Sequence, residues 1–359
     1  MEKVKTAIIG CGKVAHIHAA ALINLKESEF TAVCSRTPEK GKQFGEKYGV
    51  KPYTDVREMI SGSGIEAVLI CTPHPAHAEP AVHAAECGAH VLVEKPLAAS
   101  LEDCDRMIES AEKSNIKLSV ISQRRLYSPS LRIRKAIEEG RIGKPVLGVV
   151  NMFGWRDKKY YDSDPWRGSW KEEGGGVLVN QAPHQLDLLL WYMGEVEELF
   201  GYWANFNHPY IEVEDTATAL VKFRSGALGN IIVSNSQNPA LYGKVAVYGD
   251  SGASVGVQTD GGVMFVPGIS TIEEAPYNDL WTIPGEEDKW KAWKKEDADF
   301  FNEVDAVNYY HERQIEDFLR SIIEGREPMI PAIDGRRTVE LYTAVYLSQE
   351  KNEVIKFPL

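Results

Sequence analysis

A glycine-rich segment near the start of the sequence constrains the fold more than any other feature. An apolar run over residues 4–9 leads into the sequence GCGKVA at residues 10–15, and an alanine-rich stretch with helical character follows. In this GxGxxA pattern Gly10 permits a tight turn, Gly12 lets a pyrophosphate approach the backbone, and Ala15 lets a helix pack on the strand. Free amides at the start of the helix hold the anion. The pattern predicts a dinucleotide site, and a tight turn without a ligand is the alternative.

Short apolar strands alternate with helical stretches through the first third of the chain. Strands are predicted near residues 30–34, 67–70, 91–93 and 118–121, with helical segments between them. Because connections between parallel strands are right-handed, this alternation builds a parallel sheet with helices on both faces. The loops after the strands meet at the carboxyl edge of the sheet, where open α/β sheets bind ligands.

The residues after the second strand bear on the choice of cofactor. About twenty residues beyond the first glycine, NAD-binding chains of this kind carry an acid for the ribose hydroxyls. This sequence has Ser35, Arg36 and Thr37 there instead. A hydroxyl beside a guanidinium suits a 2′-phosphate, so the sequence favours NADP over NAD. Stacking of Arg36 on adenine, or its exposure to solvent, is the alternative.

A lysine stands at the carboxyl end of another predicted strand. The apolar residues 91–93 lead into Glu94 and Lys95, and a proline follows. The residue before a proline is kept out of the helical region, so the ammonium has a defined position. Thr72 and Pro73 follow the neighbouring strand and should line the same cleft. A surface lysine without a function is the alternative.

The pattern changes near Gln123, where we predict the boundary between a dinucleotide-binding domain at residues 1–122 and a second domain at residues 123–359. Alternating apolar and polar residues predict an antiparallel sheet in the second domain. The strands expected here lie at residues 146–153, 216–223, 228–233 and 244–248, and the helices at 177–191, 296–323 and 334–349.

A long irregular segment, residues 154–173, is rich in aromatic rings and arginines. These residues are Trp155, Arg156, Tyr160, Tyr161, Trp166, Arg167 and Trp170. Long loops in compact domains commonly carry function, and rings with interleaved polar groups fit the faces and hydroxyls of a sugar. A loop packed against a partner subunit has the same composition. The arginines suit a phosphate or a nucleotide sugar, although scattered arginines more often form surface pairs.

The predicted helix at residues 177–191 carries Asn180, His184 and Asp187. Spacings of four and three residues place these side chains on one helix face. A polar face on an apolar helix indicates the lining of a cleft. A core histidine satisfied by Asp187 is the alternative.

Composition limits the class of partner. The chain has 359 residues, a formal net charge of -12 and no basic run, which disfavours nucleic acid. Its five cysteines show no CxxC spacing, and no secretory leader or apolar run long enough to span a bilayer is present. We therefore expect a cytoplasmic protein that acts on a small molecule, without a membrane partner.

The motifs together resemble the glucose-fructose oxidoreductase, inositol dehydrogenase and MocA (Gfo/Idh/MocA) family. They are GCGKVA at residues 10–15, EKP at 94–96, GGG at 174–176 and HQLD at 184–187, and the resemblance covers essentially the whole chain. It implies an α/β fold, a Rossmann domain followed by an α/β domain with a large, mostly antiparallel open sheet, in a homodimer or homotetramer.

The resemblance also implies an activity. Hydride would pass between NAD(P) and a secondary alcohol or ketone of a sugar, glycoside or cyclitol, with Lys95 hydrogen-bonding the oxygen and His184 exchanging the proton. Relatives with an acid four residues before the histidine use lysine, aspartate and histidine together. This chain has Asn180 there, and an amide cannot take the proton. It can still hydrogen-bond a substrate hydroxyl or orient His184, and Asp187 can orient the histidine too.

Two alternatives exist within such a family. One is an NAD-dependent glycosidase that oxidises, eliminates and re-reduces, and the other is a non-catalytic cofactor-sensing regulator, against which the retention of Lys95 and His184 argues. No metal is expected. The residues expected to bind the cofactor are Gly10, Gly12, Lys13, Val14, Ser35, Arg36, Thr37, Thr72, Pro73, His77, Glu94, Lys95 and Gln123. Those expected to bind substrate are Lys95, Gln123, Arg124, Trp155, Tyr161, Trp166, Arg167, Asn180, His184 and Asp187.

Overall fold

A computed structural model describes residues 3–261 and 274–359 of the chain. The strands are β1 (Val4–Ile9), β2 (Ser28–Cys34), β3 (Lys51–Tyr53), β4 (Ala67–Ile70), β5 (His90–Val93), β6 (Leu118–Val120), β7 (Pro145–Phe153), β8 (Val196–Ala204), β9 (Thr216–Phe223), β10 (Leu228–Ser234), β11 (Tyr242–Gly249), β12 (Ser254–Asp260), β13 (Tyr277–Trp281) and β14 (Ile355–Lys356). The helices are α1 (Ala15–Asn24), α2 (Pro38–Tyr48), α3 (Val56–Ser63), α4 (Ala78–Glu86), α5 (Leu101–Lys113), α6 (Ser128–Glu138), α7 (Lys158–Tyr161), α8 (Val177–Asn180), α9 (Pro183–Met193), α10 (Lys289–Glu303), α11 (Ala306–Glu324) and α12 (Ala332–Lys351).

The chain divides into two units, and each contains one sheet. The first unit comprises residues 1–123 and 307–339, and the second comprises residues 124–306 and 340–359. The predicted domains, 1–122 and 123–359, differ from these units in the assignment of residue 123 and of residues 307–339. None of the helices in the described part of the chain is long and apolar enough to cross a membrane.

The sheet of the first unit is parallel and has the strand order β3-β2-β1-β4-β5-β6. Its central strands β1, β4 and β5 are almost fully buried, as expected for strands covered by helices on both faces. The sequence also defines the helix ends. Asp55 and Ser100 cap the starts of α3 and α5 by accepting backbone hydrogen bonds, and Gly49 and Gly64 end α2 and α3 in the left-handed conformation. The predicted Rossmann arrangement is confirmed.

Helix α11 explains why residues 307–339 belong to the first unit. Its apolar side chains Ile315, Phe318 and Leu319 are fully buried and pack into the same core cluster as Ile8 and Leu92 of the parallel sheet. An apolar stripe on a helix predicts that the helix packs, but not against which sheet. The predicted helix at 296–323 is in fact two helices, α10 and α11, which are separated near residue 305.

The sheet of the second unit has eight strands in the order β13-β12-β11-β7-β10-β9-β8-β14. All neighbouring pairs are antiparallel except β7 and β10, which run parallel. Helix α9 packs on β7, where a side chain at Gly148 would lie 2.7 Å from Leu189. The mostly antiparallel open sheet that the family resemblance implied is therefore confirmed.

The single helix predicted at residues 177–191 is wrong. The structure has two helices, α8 and α9, with Gln181 and Ala182 between them. Pro183 causes the break, because a proline has no N–H to continue the hydrogen-bond ladder. It instead occupies the first position of α9, where the missing donor costs nothing. Asn180 therefore ends one helix and His184 lies in the first turn of the next, so the predicted common helix face holds only for His184 and Asp187.

Candidate active site

The glycine loop of the first unit has the geometry that a dinucleotide requires. Gly10 has φ +102°, and a Cβ there would lie 2.8 Å from the backbone of Cys71, so only glycine fits. At Gly12 the nearest atom to a Cβ would be 4.0 Å away, which leaves this stretch of backbone open to approach. No side chain caps the start of α1, just beyond the loop. The free end of the helix suits a pyrophosphate.

The segment after β2 presents a cation to solvent. Ser35 is buried, its amide donates to Tyr53 O at 3.0 Å, and its hydroxyl accepts from the Thr37 amide at 3.3 Å. Arg36 and Thr37 are exposed. This turn holds Ser35 in place and leaves the Arg36 guanidinium accessible, so its predicted contact with a 2′-phosphate stays a prediction.

His77 connects the loops that follow β4 and β5. It is buried, and its Nε2 lies 2.9 Å from Thr72 O while its Nδ1 lies 3.0 Å from Pro96 O. Burial lowers the pKa of His77, which favours the neutral ring. The Thr72 hydroxyl in turn donates to Ala76 O at 2.9 Å. We expect His77 to influence cofactor binding by fixing the positions of these two loops.

Lys95 is anchored by Glu94, which forms a buried ion pair with His18. It is half-buried directly after β5, and its amide donates to Glu94 Oε2 at 3.1 Å. The other oxygen of Glu94 accepts from His18 Nε2 at 2.6 Å. Burial opposes both charges, yet Cys71 and Glu94 raise the pKa of His18 to about 10, and His18 lowers that of Glu94 to about 2. The carboxylate next to Lys95 is therefore ionised and fixed.

Sequence reasoning missed His18. The signal was available, because His18 lies on the apolar face of α1 with Ala15 and Leu22, where a histidine needs a partner. Its partner is 76 residues away in the sequence, so no local pattern could identify Glu94.

His311 extends this cluster. Its Nε2 lies 3.9 Å from Glu94 Oε1 and 3.4 Å from Gln123 Nε2, and its Nδ1 lies 2.6 Å from Val307 O. The ligand atoms of His18, Glu94 and His311 all lie within 4.8 Å of one another, as in a metal site. The 2.6 Å contact between His18 and Glu94 is nevertheless a hydrogen bond, and two ligands about 2 Å from one ion stand farther apart. The geometry favours an ion pair over a metal centre.

The polar residues predicted on the helix of the second unit have partners that the sequence did not indicate. His184 is buried in the first turn of α9. Asp187 binds the Arg125 guanidinium through both oxygens, at 2.8 Å to Nε and 2.5 Å to Nη2. Asn180 Nδ2 donates to the buried carboxylate of Glu173, whose other oxygen accepts from the Gly168 amide at 2.5 Å. Arg125 thus holds Asp187 in a defined orientation, and Glu173 does the same for Asn180.

Arg124, predicted to bind substrate, takes part in a buried network. Its Nη1 donates to Asp260 and lies 3.3 Å from Thr259 Oγ1. Gln185 Nε2 donates to the same carboxylate at 2.7 Å. The Arg124 guanidinium is thus engaged by the protein itself, and its contact with substrate stays a prediction.

Most of the aromatic segment forms one cluster rather than an open loop, whereas Trp170 packs separately against Trp203 and Tyr346. Residues 158–161 make the short helix α7, and Asp157 caps its start. Tyr161 and Trp155 both contact the ring of His208, with centroids 5.5 and 5.4 Å apart. Arg167 belongs to the same cluster, because its guanidinium carbon lies 4.4 Å from the centroid of the Trp166 ring and 4.3 Å from that of the Tyr160 ring. The four predicted substrate residues Trp155, Tyr161, Trp166 and Arg167 therefore lie in one segment of the second unit, built around His208 and Tyr160.

Comparison with known proteins agrees with this description. Residues 4–122 match the model of an oxidoreductase family with an NAD-binding Rossmann fold, and residues 130–255 match that of the GFO/IDH/MocA C-terminal domain. Myo-inositol 2-dehydrogenase of Thermotoga maritima is 28% identical over 98% of both chains. The 1,5-anhydro-D-fructose reductase of Ensifer adhaerens is 27% identical over 69% of this chain and 74% of its own. The crystal structure of the WlbA dehydrogenase from Bordetella pertussis, in complex with NADH and UDP-GlcNAcA, is 29% identical over 100% of both chains, with a TM-score of 0.82.

The parallel sheet, the glycine loop and the family matches define a Rossmann-fold oxidoreductase that uses a nicotinamide cofactor. The chain belongs to the GFO/IDH/MocA family. The resemblance seen in its motifs is thereby confirmed.

Proposed function

We propose that this oxidoreductase transfers hydride between NAD(P) and a secondary alcohol or ketone of a sugar, glycoside or cyclitol. The observation that carries the proposal is the position of Lys95. It follows β5 at the sheet edge that also bears the glycine loop, and its amide is anchored on an ionised Glu94. Relatives named as an inositol dehydrogenase and an anhydrofructose reductase support the substrate class.

The roles follow from the chemistry of the side chains. When bound, the nicotinamide cofactor accepts or supplies the hydride. Lys95 hydrogen-bonds the reacting oxygen and stabilises the negative charge that develops there. His184 takes the hydroxyl proton in oxidation and returns it in reduction, a task for which imidazole is suited near neutral pH. Asp187, held by Arg125, orients the histidine, and Asn180, held by Glu173, orients a substrate hydroxyl.

For the cofactor we propose that NADP binds at least as well as NAD. The turn after β2, residues 35–37, has no carboxylate to repel a 2′-phosphate, and its Arg36 side chain is exposed. Ser35 is fixed beside it and can serve the ribose.

An exposed apolar face on the second sheet supports the proposed homodimer or homotetramer. Leu220 on β9, Leu228 on β10 and Tyr202 on β8 are 65%, 58% and 53% exposed, on strands whose opposite face is buried. A large exposed apolar patch indicates an interface, and the open face of a sheet suits a second copy. Light scattering should find an oligomer for the natural chain and a smaller species for Leu220→Glu, whereas a monomeric natural chain would contradict this proposal.

A panel of sugars, cyclitols and glycosides tests the activity. Each compound is assayed with NAD and with NADP at the nicotinamide absorbance band, with Lys95→Ala as the inactive comparison. We expect a change of absorbance with at least one sugar or cyclitol. Release of product from a glycoside without net change of the nicotinamide would replace the proposal by the glycosidase alternative, and no reaction across the panel would contradict both.

A further inference from the structure

Arg156 is a buried cation that no carboxylate of the described residues contacts. It is 8% exposed, and it follows the bridge that Trp155 makes with Ser236. Its Nη1 reaches Trp155 O at 3.3 Å, and its Nε makes no hydrogen bond. Among the residues that the structure describes, every other buried arginine has a carboxylate partner, namely Asp260 for Arg124 and Asp187 for Arg125. A buried charge without a counter-charge is costly, so such an arrangement needs a reason.

A second guanidinium adds to the positive charge. The guanidinium carbons of Arg156 and Arg167 lie 4.9 and 4.3 Å from the centroid of the same ring, that of Tyr160. Arg167 has one carboxylate contact, Asp164 at 3.2 Å from its Nε. Within the described part of the chain, two guanidinium groups thus share one contacting carboxylate. Among the residues that the structure describes, no carboxylate lies within ion-pair distance of Arg156, and Asp260 acts on its charge only from farther away.

Unsatisfied polar atoms cluster around this charge. Buried side-chain atoms without a hydrogen bond of normal geometry include Arg156 Nε, the Tyr161 hydroxyl and Asn235 Oδ1. Asn235 is near enough to Tyr161 to lower its pKa through a weak hydrogen bond, and the Arg156 amide donates to the Asn235 carbonyl at 3.3 Å. Burial raises the pKa of Tyr161, so its hydroxyl stays protonated and can donate. Buried polar groups in native proteins are normally satisfied. Arg156 Nε and the Tyr161 hydroxyl are the donors available here to an anionic oxygen.

We propose that Arg156, with Arg167 and Tyr161, forms a subsite for a carboxylate on the substrate, so that the substrate is an acidic sugar of the uronate class. A negative charge would then lie beside the buried guanidinium that no described carboxylate contacts. A planar carboxylate also matches the fork of a guanidinium. The inference rests on the proposed function, because it names the substrate of that same activity.

Paired sugars test the subsite directly. Binding to the full chain loaded with cofactor is measured by calorimetry for D-glucuronate and D-glucose, and for D-galacturonate and D-galactose, with D-glucose 6-phosphate as the phosphate probe. In at least one pair the acid should bind roughly 10-fold or more tightly than the neutral sugar, as a charge-assisted hydrogen bond provides. Equal binding in both pairs overturns the proposal. Tighter binding of the phosphate than of either acid replaces the carboxylate by a phosphate.

Matched variants identify the residue responsible. Arg156→Gln should abolish the preference for the acid and leave the neutral sugar nearly unchanged. Arg224→Gln removes the same charge from an exposed arginine of the same unit, paired with Glu195, and should keep the preference. A preference that survives Arg156→Gln overturns the proposal. If circular dichroism finds that variant unfolded, Arg167→Gln takes its place, and an unchanged preference there has the same meaning.

The outcomes separate this inference from the proposed function. Hydride transfer with neutral sugars, without any preference for acids in binding, retains the proposed function and removes the subsite. An acid preference that depends on Arg156, together with no hydride transfer from any sugar, retains the subsite and removes the proposed function.

Discussion

The buried charge next to Lys95 in the first unit and the buried charge of Arg156 in the second differ in whether a counter-charge contacts them. Beside Lys95, Glu94 is paired with His18 at 2.6 Å, and each group holds the other in its charged form. Around Arg156 the described residues offer a carbonyl and an aromatic ring, but no carboxylate within ion-pair distance. In the first region the buried charge has a contacting partner of opposite charge, whereas in the second the described residues supply no such contact.

The difference indicates which of the two regions is preorganised. Removing one partner of a buried ion pair costs about 3–5 kcal/mol, so the pair behind Lys95 fixes the local backbone without any ligand. Groups that must bind a variable partner cannot be satisfied in advance, because a satisfied donor has to break a bond before it binds. We therefore expect substitutions near Lys95 to act on chemistry and stability, and substitutions near Arg156 to act on ligand preference.

The largest expected effect is at His184. His184→Ala should lower kcat by about 100- to 10,000-fold, the usual contribution of general acid-base catalysis. Asn180→Ala should mainly raise KM, because an amide has no proton to transfer. Steady-state kinetics of both variants with one substrate checks this. A much larger loss of kcat at Asn180 than at His184 would reverse the two roles.

Lys95→Ala should lower kcat by about 100- to 1,000-fold, since the ammonium acts on charge that develops in the transition state. The variant should fold and bind cofactor, because the ion pair between His18 and Glu94 does not need the side chain of Lys95. Kinetics and a cofactor titration measure the two properties. Lys113→Ala, at an exposed position on α5, is the control and should keep full activity. Near-normal turnover of Lys95→Ala would be incompatible with the proposed mechanism.

A smaller effect is expected on cofactor choice. Arg36→Ala should weaken NADP by roughly 10-fold or more and leave NAD nearly untouched, if the guanidinium binds the 2′-phosphate. Titration of both cofactors against both proteins decides this. Equal weakening of both would indicate stacking on adenine instead. A natural chain that prefers NAD tenfold or more would mean that Ser35 serves the ribose hydroxyls.

The smallest expected effect is a pH dependence of stability from His18. Its pKa is about 10 in the folded protein and about 6.5 in the unfolded chain, so its stabilisation is complete below pH 6.5 and is lost as the pH rises toward 10. The Glu94 contribution is complete above 4.5, the ordinary pKa of a glutamate in the unfolded chain, and is lost as the pH falls toward 2. The pair therefore stabilises the folded protein most between about pH 4.5 and pH 6.5.

Melting temperatures at pH 6 and pH 9 test this prediction. The natural chain should lose several degrees more than His18→Gln between the two pH values, since about 1 kcal/mol corresponds to a few degrees in a chain of this size. His83→Gln, on α4, is the control and should behave like the natural chain. An equal loss in His18→Gln would show that the pair carries no such dependence.

Local features were predictable from the sequence, and distant pairings were not. The strand, glycine loop and helix at residues 4–24 follow from periodicity and glycine chemistry, and β9 occupies the predicted range of 216–223. The break before α9 was also visible in the sequence, because Pro183 cannot extend a helix. The ion pair of Arg125 with Asp187 joins residues 62 positions apart, and no spacing rule indicates such a partner.

The contribution of α11 to the first core also determines the order in which this protein can fold. During synthesis the parallel sheet leaves the ribosome with its first 123 residues, but Ile315, Phe318 and Leu319 follow almost two hundred residues later. Until then the nascent sheet lacks part of its apolar cover, which is a state that favours aggregation and engages chaperones. A fragment that ends at residue 123 should for the same reason be poorly soluble, and supplying residues 307–339 as a separate peptide should restore its solubility.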